Sequence, residues 1–228
     1  MLLLAAHPVQ AVLLAVAVGV LAGYSDRSVR ESAVAAVAVL LVQLAAGLLN
    51  DVCDAPLDRR GKVSGKPIAA GDLPRGNATY VIAVLLLLAL PAALQNGTLA
   101  GVALLATVPV AYVHDRILHR TAFSWLGWAA TFALLCVFLA YGGWGGGRHG
   151  DTPTWQFAAI SAVLGVCVHF LTTLPDLVDD NRSGVRNLPL RIALRTGAPR
   201  LLLATLVVSL LALAGWVVIG LDPGLRAW

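Results

Sequence analysis

The sequence predicts an all-α bundle of membrane-spanning helices, one domain over residues 1–228, and three observations predict it. Hydrophobic residues make up 59% of the chain and charged residues only 12%, against roughly 25% charged residues in a soluble domain. The mean hydropathy is +0.83. The apolar residues gather into seven runs of helix length, at 2–21, 33–49, 78–94, 98–113, 123–141, 155–174 and 201–221, where a membrane barrel would show alternating segments of about ten residues.

The first run opens MLLLAAHPVQ with neither Lys nor Arg. It lacks the basic flank of a signal peptide and is expected to remain as the first span. The third and fourth runs are short, and Gln95-Asn96-Gly97 between them is a turn signal that makes them an antiparallel hairpin. Pro8, Pro91 and Pro109 lie in or near apolar runs, where membrane helices tolerate kinks. The stretch 142–150, GGWGGGRHG, reads as a flexible external loop; it lacks the Lys-Ser/Thr ending of a phosphate loop. Several of the six tryptophans fall near span ends, as interfacial anchors do. Cys53, Cys136 and Cys167 have neither disulfide nor zinc spacing, and the last two are expected to pack in apolar runs.

Basic residues alternate sharply between the connections. Those after the second, fourth and sixth runs carry 12 of the 16 Lys and Arg. By the positive-inside rule that side is cytoplasmic, which places the N-terminus inside and the C-terminus outside. The net charge of +4 then reflects topology and anionic lipid, and requires no nucleic-acid partner.

Chemistry concentrates in two of these basic connections. The first, NDVCDAPLDRRGKVSGK from Asn50 to Lys66, sets Asp51, Asp54 and Asp58 at i, i+3 and i+7, one face of about two helical turns, with Asn50 at i−4 from Asp54. The chain has only 12 Asp and Glu, and acids at the end of a membrane helix are costly unless they bind something. Hard oxygen ligands beside a cluster of cations suit a divalent metal carrying a polyanion such as diphosphate. The second connection, LPDLVDDNRSGVRNLP from Leu174 to Pro189, sets Asp176, Asp179 and Asp180 at i, i+3 and i+4, again one helical face. Both continue into Ser-Gly, a basic residue and a proline, a weak internal repeat. One acidic stretch beside a basic one reads equally well as a solvated loop; two with matched spacing favour a site. Asp54, Asp58, Asp176 and Asp180 are the expected Mg²⁺ ligands, supported by Asn50, Asp51 and Asp179, with Lys66, Arg120 and Arg186 as donors to diphosphate. His114 and His119 flank the end of the fourth run, and beside Arg116 and Arg120 they suit an anion better than a metal. His7 and His169 are expected to pack or lie at an interface.

These residues carry a resemblance. Asn50-Asp51-x-x-Asp54-x-x-x-Asp58 resembles the N-D-x-x-D-x-x-x-D motif of the UbiA-type intramembrane prenyltransferases, and Asp176-x-x-x-Asp180-x-x-x-Gly184 is similar to their second acidic motif, four spans later. DRRGKVSGKPIAAG is similar to the basic segment after the family's first motif. The resemblance implies a helical bundle around a large cavity open to lipid, two aspartate motifs holding Mg²⁺ and a prenyl diphosphate, and transfer of the prenyl group to an acceptor. The family usually has nine helices where seven are visible here. Its polar segment after the fourth span typically offers a Tyr and a Lys, where this chain has His114, Asp115, His119 and Arg120.

Three function classes follow. The first is an enzyme transferring a prenyl group from an allylic diphosphate to an aromatic or lipid-like acceptor. The second is a terpene cyclase on the same scaffold, which needs the same ionisation and lets the chain attack itself. The third is a transporter or non-catalytic membrane protein, which would carry acids along a pathway inside its spans, whereas these acids collect at span ends on one side. The D-G-x-x-A-R signature of head-group transferases is absent. The charge asymmetry also fixes an expected outcome for an impermeant thiol reagent on intact cells. Cysteine at position 146 in place of Gly146 should be labelled and cysteine in place of Gly61 should not; labelling at position 61 would reverse the topology.

Overall fold

A computed structural model describes residues 1–25, 27–61, 65–143 and 152–219, and these residues are helical with no strand among them. The sequence readings that involve Lys62 to Ser64, Trp144 to Asp151 and residues 220–228 lie outside the described residues.

The first apolar run is divided. A single turn, α1 (Leu2–Ala5), stops short of His7, which adopts a left-handed backbone with φ 49°, and Pro8 opens α2 (Pro8–Tyr24). Proline has no N–H to give and its fixed φ suits the first helical position. The chain therefore restarts here instead of running as one span from residue 2.

The second run gives α3 (Val29–Gly61), 33 residues long. At 1.5 Å per residue this is about 50 Å, well beyond the roughly 30 Å of a hydrocarbon core. The helix continues past the apolar run and through Pro56 without ending, so Asn50, Asp51, Asp54 and Asp58 all lie on it. At Gly47 the absence of a side chain lets α3 meet the backbone of Ala6; a Cβ there would overlap the Ala6 carbonyl. That contact seats the break between α1 and α2 one helical turn before Asp51.

After α3 the chain folds back on it. Arg59 donates from Nε to the Ala69 carbonyl at 3.0 Å and from Nη2 to the Ile68 carbonyl at 3.2 Å, holding α4 (Pro67–Ala70). Arg75 donates from Nη2 to the Val52 carbonyl at 2.8 Å. The expected hairpin is present: α5 (Arg75–Leu94) turns through buried Asn96 into α6 (Thr98–Arg116). A 3-10 turn at Leu118–Arg120 leads to α7 (Trp125–Tyr141), followed by α8 (Trp155–Thr173). A second 3-10 turn, Leu174–Asp176, then precedes α9 (Leu177–Ser183), α10 (Leu188–Thr196) and α11 (Ala198–Ile219).

Helix α3 is the hub, touching α2, α4, α5, α6 and α9, while α7 joins α6 to α8 and α11 packs on α8. Ala35, Ala38, Ala89, Ala93 and Ala100 are fully buried in the main core. Small residues let helix backbones approach where lipid supplies no hydrophobic drive between helices. Leu87, Leu203, Leu210 and Leu211 instead face outward. Five helical stretches, Val29–Arg59, Arg75–Leu94, Thr98–Arg120, Trp155–Ser183 and Ala198–Ile219, are long and apolar enough to cross a membrane. The other two apolar helices, α2 and α7, are 17 residues each. Each of the seven apolar runs thus lies on an apolar helix.

The close approach at Gly47 predicts a contrast between two glycines in helices. Gly47→Ala should lower the thermal unfolding temperature of the detergent-solubilised protein by the equivalent of about 1–3 kcal/mol, because the backbone of Ala6 cannot yield as a side chain would. Gly76, with nothing within 4 Å of its Cβ position, should accept alanine without loss.

Candidate active site

Four residues on the last turns of α3 begin the site. Asp51 is 1% exposed. Its Oδ1 accepts a hydrogen bond from Lys66 Nζ at 2.7 Å and lies 3.6 Å from His7 Nε2. One turn later, Asp54 Oδ2 accepts from the Asn50 amide at 3.0 Å, and the same amide donates to Asp115 Oδ1 at 3.2 Å. Asn50 therefore bridges two carboxylates, one from α3 and one from the buried end of α6. Asp54 Oδ1 faces His119 Nε2 at 3.6 Å. Asp58 is half-buried, and its Oδ2 has no hydrogen-bond partner among the described residues.

The second acidic segment reaches the same region by a different construction. Pro175 lies in the 3-10 turn, and Asp176 is the N-cap residue of α9 and not a member of its helical face. The expected single face of three acids is divided accordingly. Asp180, half-buried, accepts from the Asn187 amide at 2.6 Å, while Asn187 Oδ1 caps α10 by accepting from Leu190 N at 2.9 Å. Gly184, with φ 81°, turns the chain between them, a left-handed cap that glycine adopts without penalty. Helix α9 packs on α3. Asp54 and Asp180 lie within Coulombic range of each other, as do Asp58 and Asp176.

A third segment joins these two. The backbone N–H of Arg186 donates to the Arg120 carbonyl at 3.3 Å, tying the segment after α9 to the 3-10 turn that carries His119 and Arg120. Behind that turn, His114 stands edge-on to His169 with ring centroids 5.8 Å apart, and Trp128 stacks on His169 at 6.0 Å. His169 Nε2 is 2.9 Å from Ser124 Oγ, which also accepts from Leu188 N at 3.1 Å. Gly127 makes room for His114, whose side-chain atoms would lie 2.6–2.8 Å from a Cβ at that position.

Lys66 is the cation these acids share. Burial opposes its charge, but the hydrogen bond to Asp51 and the charges of Asp51, Asp58 and Asp54 outweigh burial and hold its pKa above the ordinary lysine value. It also interacts electrostatically with Asp176, so its influence extends over both acidic segments.

The arrangement brings together Asn50, Asp51, Asp54, Lys66, His119 and Asp180, with Asp58, Asp176 and Arg120 beside them. Asp179 stands apart, exposed and paired with Arg182 at 3.5 Å. The Arg186 guanidinium is exposed and donates to Asn181 Oδ1 at 3.1 Å. Sequence reasoning missed Asp115 and Asn187 as carboxylate neighbours, and placed His7 only as packed or interfacial. The available signals were a lone acid among the residues ending the fourth run, a polar residue ahead of Pro189, and a histidine interrupting the first apolar run.

The carboxylates can hold a hard cation. Among the described residues no three His, Cys, Asp or Glu side chains stand in metal-holding geometry. A Mg²⁺ bound to phosphate needs only one or two carboxylates, the remaining ligands being phosphate oxygens and water. Among the described residues, Asp51 Oδ2, Asp54 Oδ1 and Asp58 Oδ2 are buried oxygens without a hydrogen-bond partner. Such groups cost about 1–3 kcal/mol each when left unsatisfied, more if charged, and a cation is the partner their chemistry fits.

The sequence model of the UbiA prenyltransferase family matches residues 11–227. Among solved structures, a UbiA homolog from Archaeoglobus fulgidus bound to GPP and Mg²⁺ superposes with a TM-score of 0.72 at 17% identity, covering 96% of this chain and 77% of that one. The same homolog bound to DMAPP and Mg²⁺ gives 0.71 at 18% identity with the same coverage. A structure of a digeranylgeranylglyceryl phosphate synthase gives 0.61 at 16% identity, covering 99% of this chain and 88% of that one. No curated protein matches the chain.

Proposed function

The chain belongs to the UbiA prenyltransferase family, and from that premise we propose that it is an integral membrane enzyme that uses Mg²⁺ to transfer a prenyl group from an allylic prenyl diphosphate to an aromatic or lipid-like acceptor. The observation that carries this reading is the convergence of two acidic segments around Lys66, with three buried carboxylate oxygens lacking partners. Prenyl diphosphates and Mg²⁺ in the Archaeoglobus fulgidus homolog support the substrate class and the ion.

Asp54, Asp58, Asp176 and Asp180 would hold the ion, which neutralises charge on the diphosphate oxygens as the leaving group departs. Asn50 fixes the Asp54 carboxylate through one oxygen and leaves the other free. Asn187 fixes the Asp180 carboxylate through Oδ2 from the α10 side. Asp51 keeps the Lys66 ammonium charged and in place, so that it can donate to a diphosphate oxygen without reorganising. Arg120, held on the 3-10 turn with its Nε donating to His119 Nε2 at 3.3 Å, presents further donors from its terminal guanidinium nitrogens, and His119 orients it. Arg186 reaches the anion only by leaving Asn181. The C–O bond of the substrate breaks with its electron pair leaving on diphosphate, the electron-rich acceptor forms the new bond to the prenyl carbon, and the proton the acceptor loses leaves with the diphosphate. Apolar helix walls exclude water from the cation during that interval. The basic side of the protein, with both acidic segments, faces the cytoplasm in this reading.

Purified protein in detergent should release diphosphate from geranyl or longer prenyl diphosphates when Mg²⁺ or Mn²⁺ is present, and a chelator should abolish release until metal is restored. Lipid extract supplied as acceptor should yield a prenylated product by mass spectrometry. A cyclised hydrocarbon formed without acceptor would replace the transferase by the cyclase. Full release in excess chelator would remove the metal from the mechanism.

A further inference from the structure

Away from the carboxylates, α10 is built unlike the spanning helices. It is nine residues long, about 14 Å at helical rise, far too short to cross a bilayer. It lies between the end of α8 and the start of α11, on the membrane face where both spans emerge. Pro189 and Leu190 are buried against the bundle, while Leu194 is 62% exposed and Arg191 and Arg195, one turn apart, are exposed beside it. An apolar stripe edged by arginines on a short helix at this depth is the pattern of an in-plane interfacial helix.

The helix also borders a hollow of about 410 Å³, lined by Ala122, Leu188, Ile192 and Leu194 with Arg191 and Arg195 at its rim. Arg191 Nε donates to the Arg186 carbonyl at 2.8 Å, which fixes the plane of its guanidinium and leaves the terminal nitrogens for an anion. Phe123, next to Ala122, is 60% exposed and extends the apolar wall. No Asp or Glu occurs from Asn181 to Arg200, a segment with five arginines. We propose that this hollow is a binding site for an anionic phospholipid, with the headgroup phosphate on Arg191 and Arg195 and the first part of an acyl chain along Leu188, Ile192 and Leu194. Two guanidinium groups one turn apart, that of Arg191 held in place, suit phosphate, and basic pockets at the cytoplasmic level between spans select anionic headgroups. The apolar lining is what a free phosphate would not use. The site adjoins the segment that carries Asn187, so its occupant braces the α10 cap that holds Asp180. The proposal rests on the membrane setting of the chain and not on its catalytic reading.

Native mass spectrometry of the intact protein, released from micelles doped with phosphatidylglycerol or phosphatidylcholine, tests it. The wild-type protein should retain phosphatidylglycerol at least tenfold more strongly than phosphatidylcholine; equal retention would overturn the site without any variant having to fold. The double variant Arg191→Gln/Arg195→Gln should lose that preference. The double variant Arg182→Gln/Arg200→Gln, which removes the same charge from the same segment, should keep it. Equal losses in the two double variants would reduce the effect to diffuse surface charge and overturn the proposal, as would displacement of the lipid by inorganic phosphate alone.

Discussion

Carboxylates placed side by side where water is scarce repel one another, and the rest of the site is arranged around that constraint. Asp51, Asp54 and Asp58 follow one another along a single helix because α3 does not stop where the apolar sequence stops. The relief is specific. Lys66 is 2.7 Å from the most buried of them, and the Asn50 amide places its two N–H groups on Asp54 and Asp115. What remains unrelieved among the described residues is three buried oxygens, and a hard cation is the partner their chemistry fits. Buried acids with one satisfied and one free oxygen are poor contributors to stability and good prepared ligands.

The bundle keeps these groups in register through contacts that carry no charge. Gly47 allows the Ala6 backbone to rest on α3, which fixes His7 near Asp51, and the alanine-lined core packs α3 against α2, α5 and α6. On the other side, Ser124 links His169 to the start of α10. Movement of either support would change distances among the acids without altering any proposed ligand, so activity in this family member should be sensitive to small residues far from the substrate.

Much of the fold was legible in the sequence, because a hydrocarbon solvent leaves helices as the only economical response to long apolar runs. All seven runs lie on apolar helices, and the Gln95-Asn96-Gly97 hairpin is where turn chemistry places it. The break at His7 was not legible, since a run averages over its residues and the left-handed backbone depends on the meeting with Gly47. Nor was it legible that α3 runs as one helix from the apolar run through Pro56 to Gly61. The spacing of Asn50 to Asp58 is local and was visible as one face. The neighbours supplied by other helices, Asp115, His7 and Asn187, have no spacing relation to that motif and enter only through packing. Asp176 was misplaced on the face of α9 because the spacing rule presumes an α-helix across Pro175, where the chain takes a 3-10 turn.

The central claim is that the two acidic segments act as one site, and a double-mutant cycle on diphosphate release measures that coupling directly. Asp54→Ala and Asp180→Ala should each lower turnover by orders of magnitude while the protein remains folded and membrane-inserted, and the double variant should be little worse than the poorer single one, as for residues that act as a unit. Additive losses in activation free energy, the behaviour of independent sites, would contradict a shared site, and near-wild-type rates in both single variants would reject it outright.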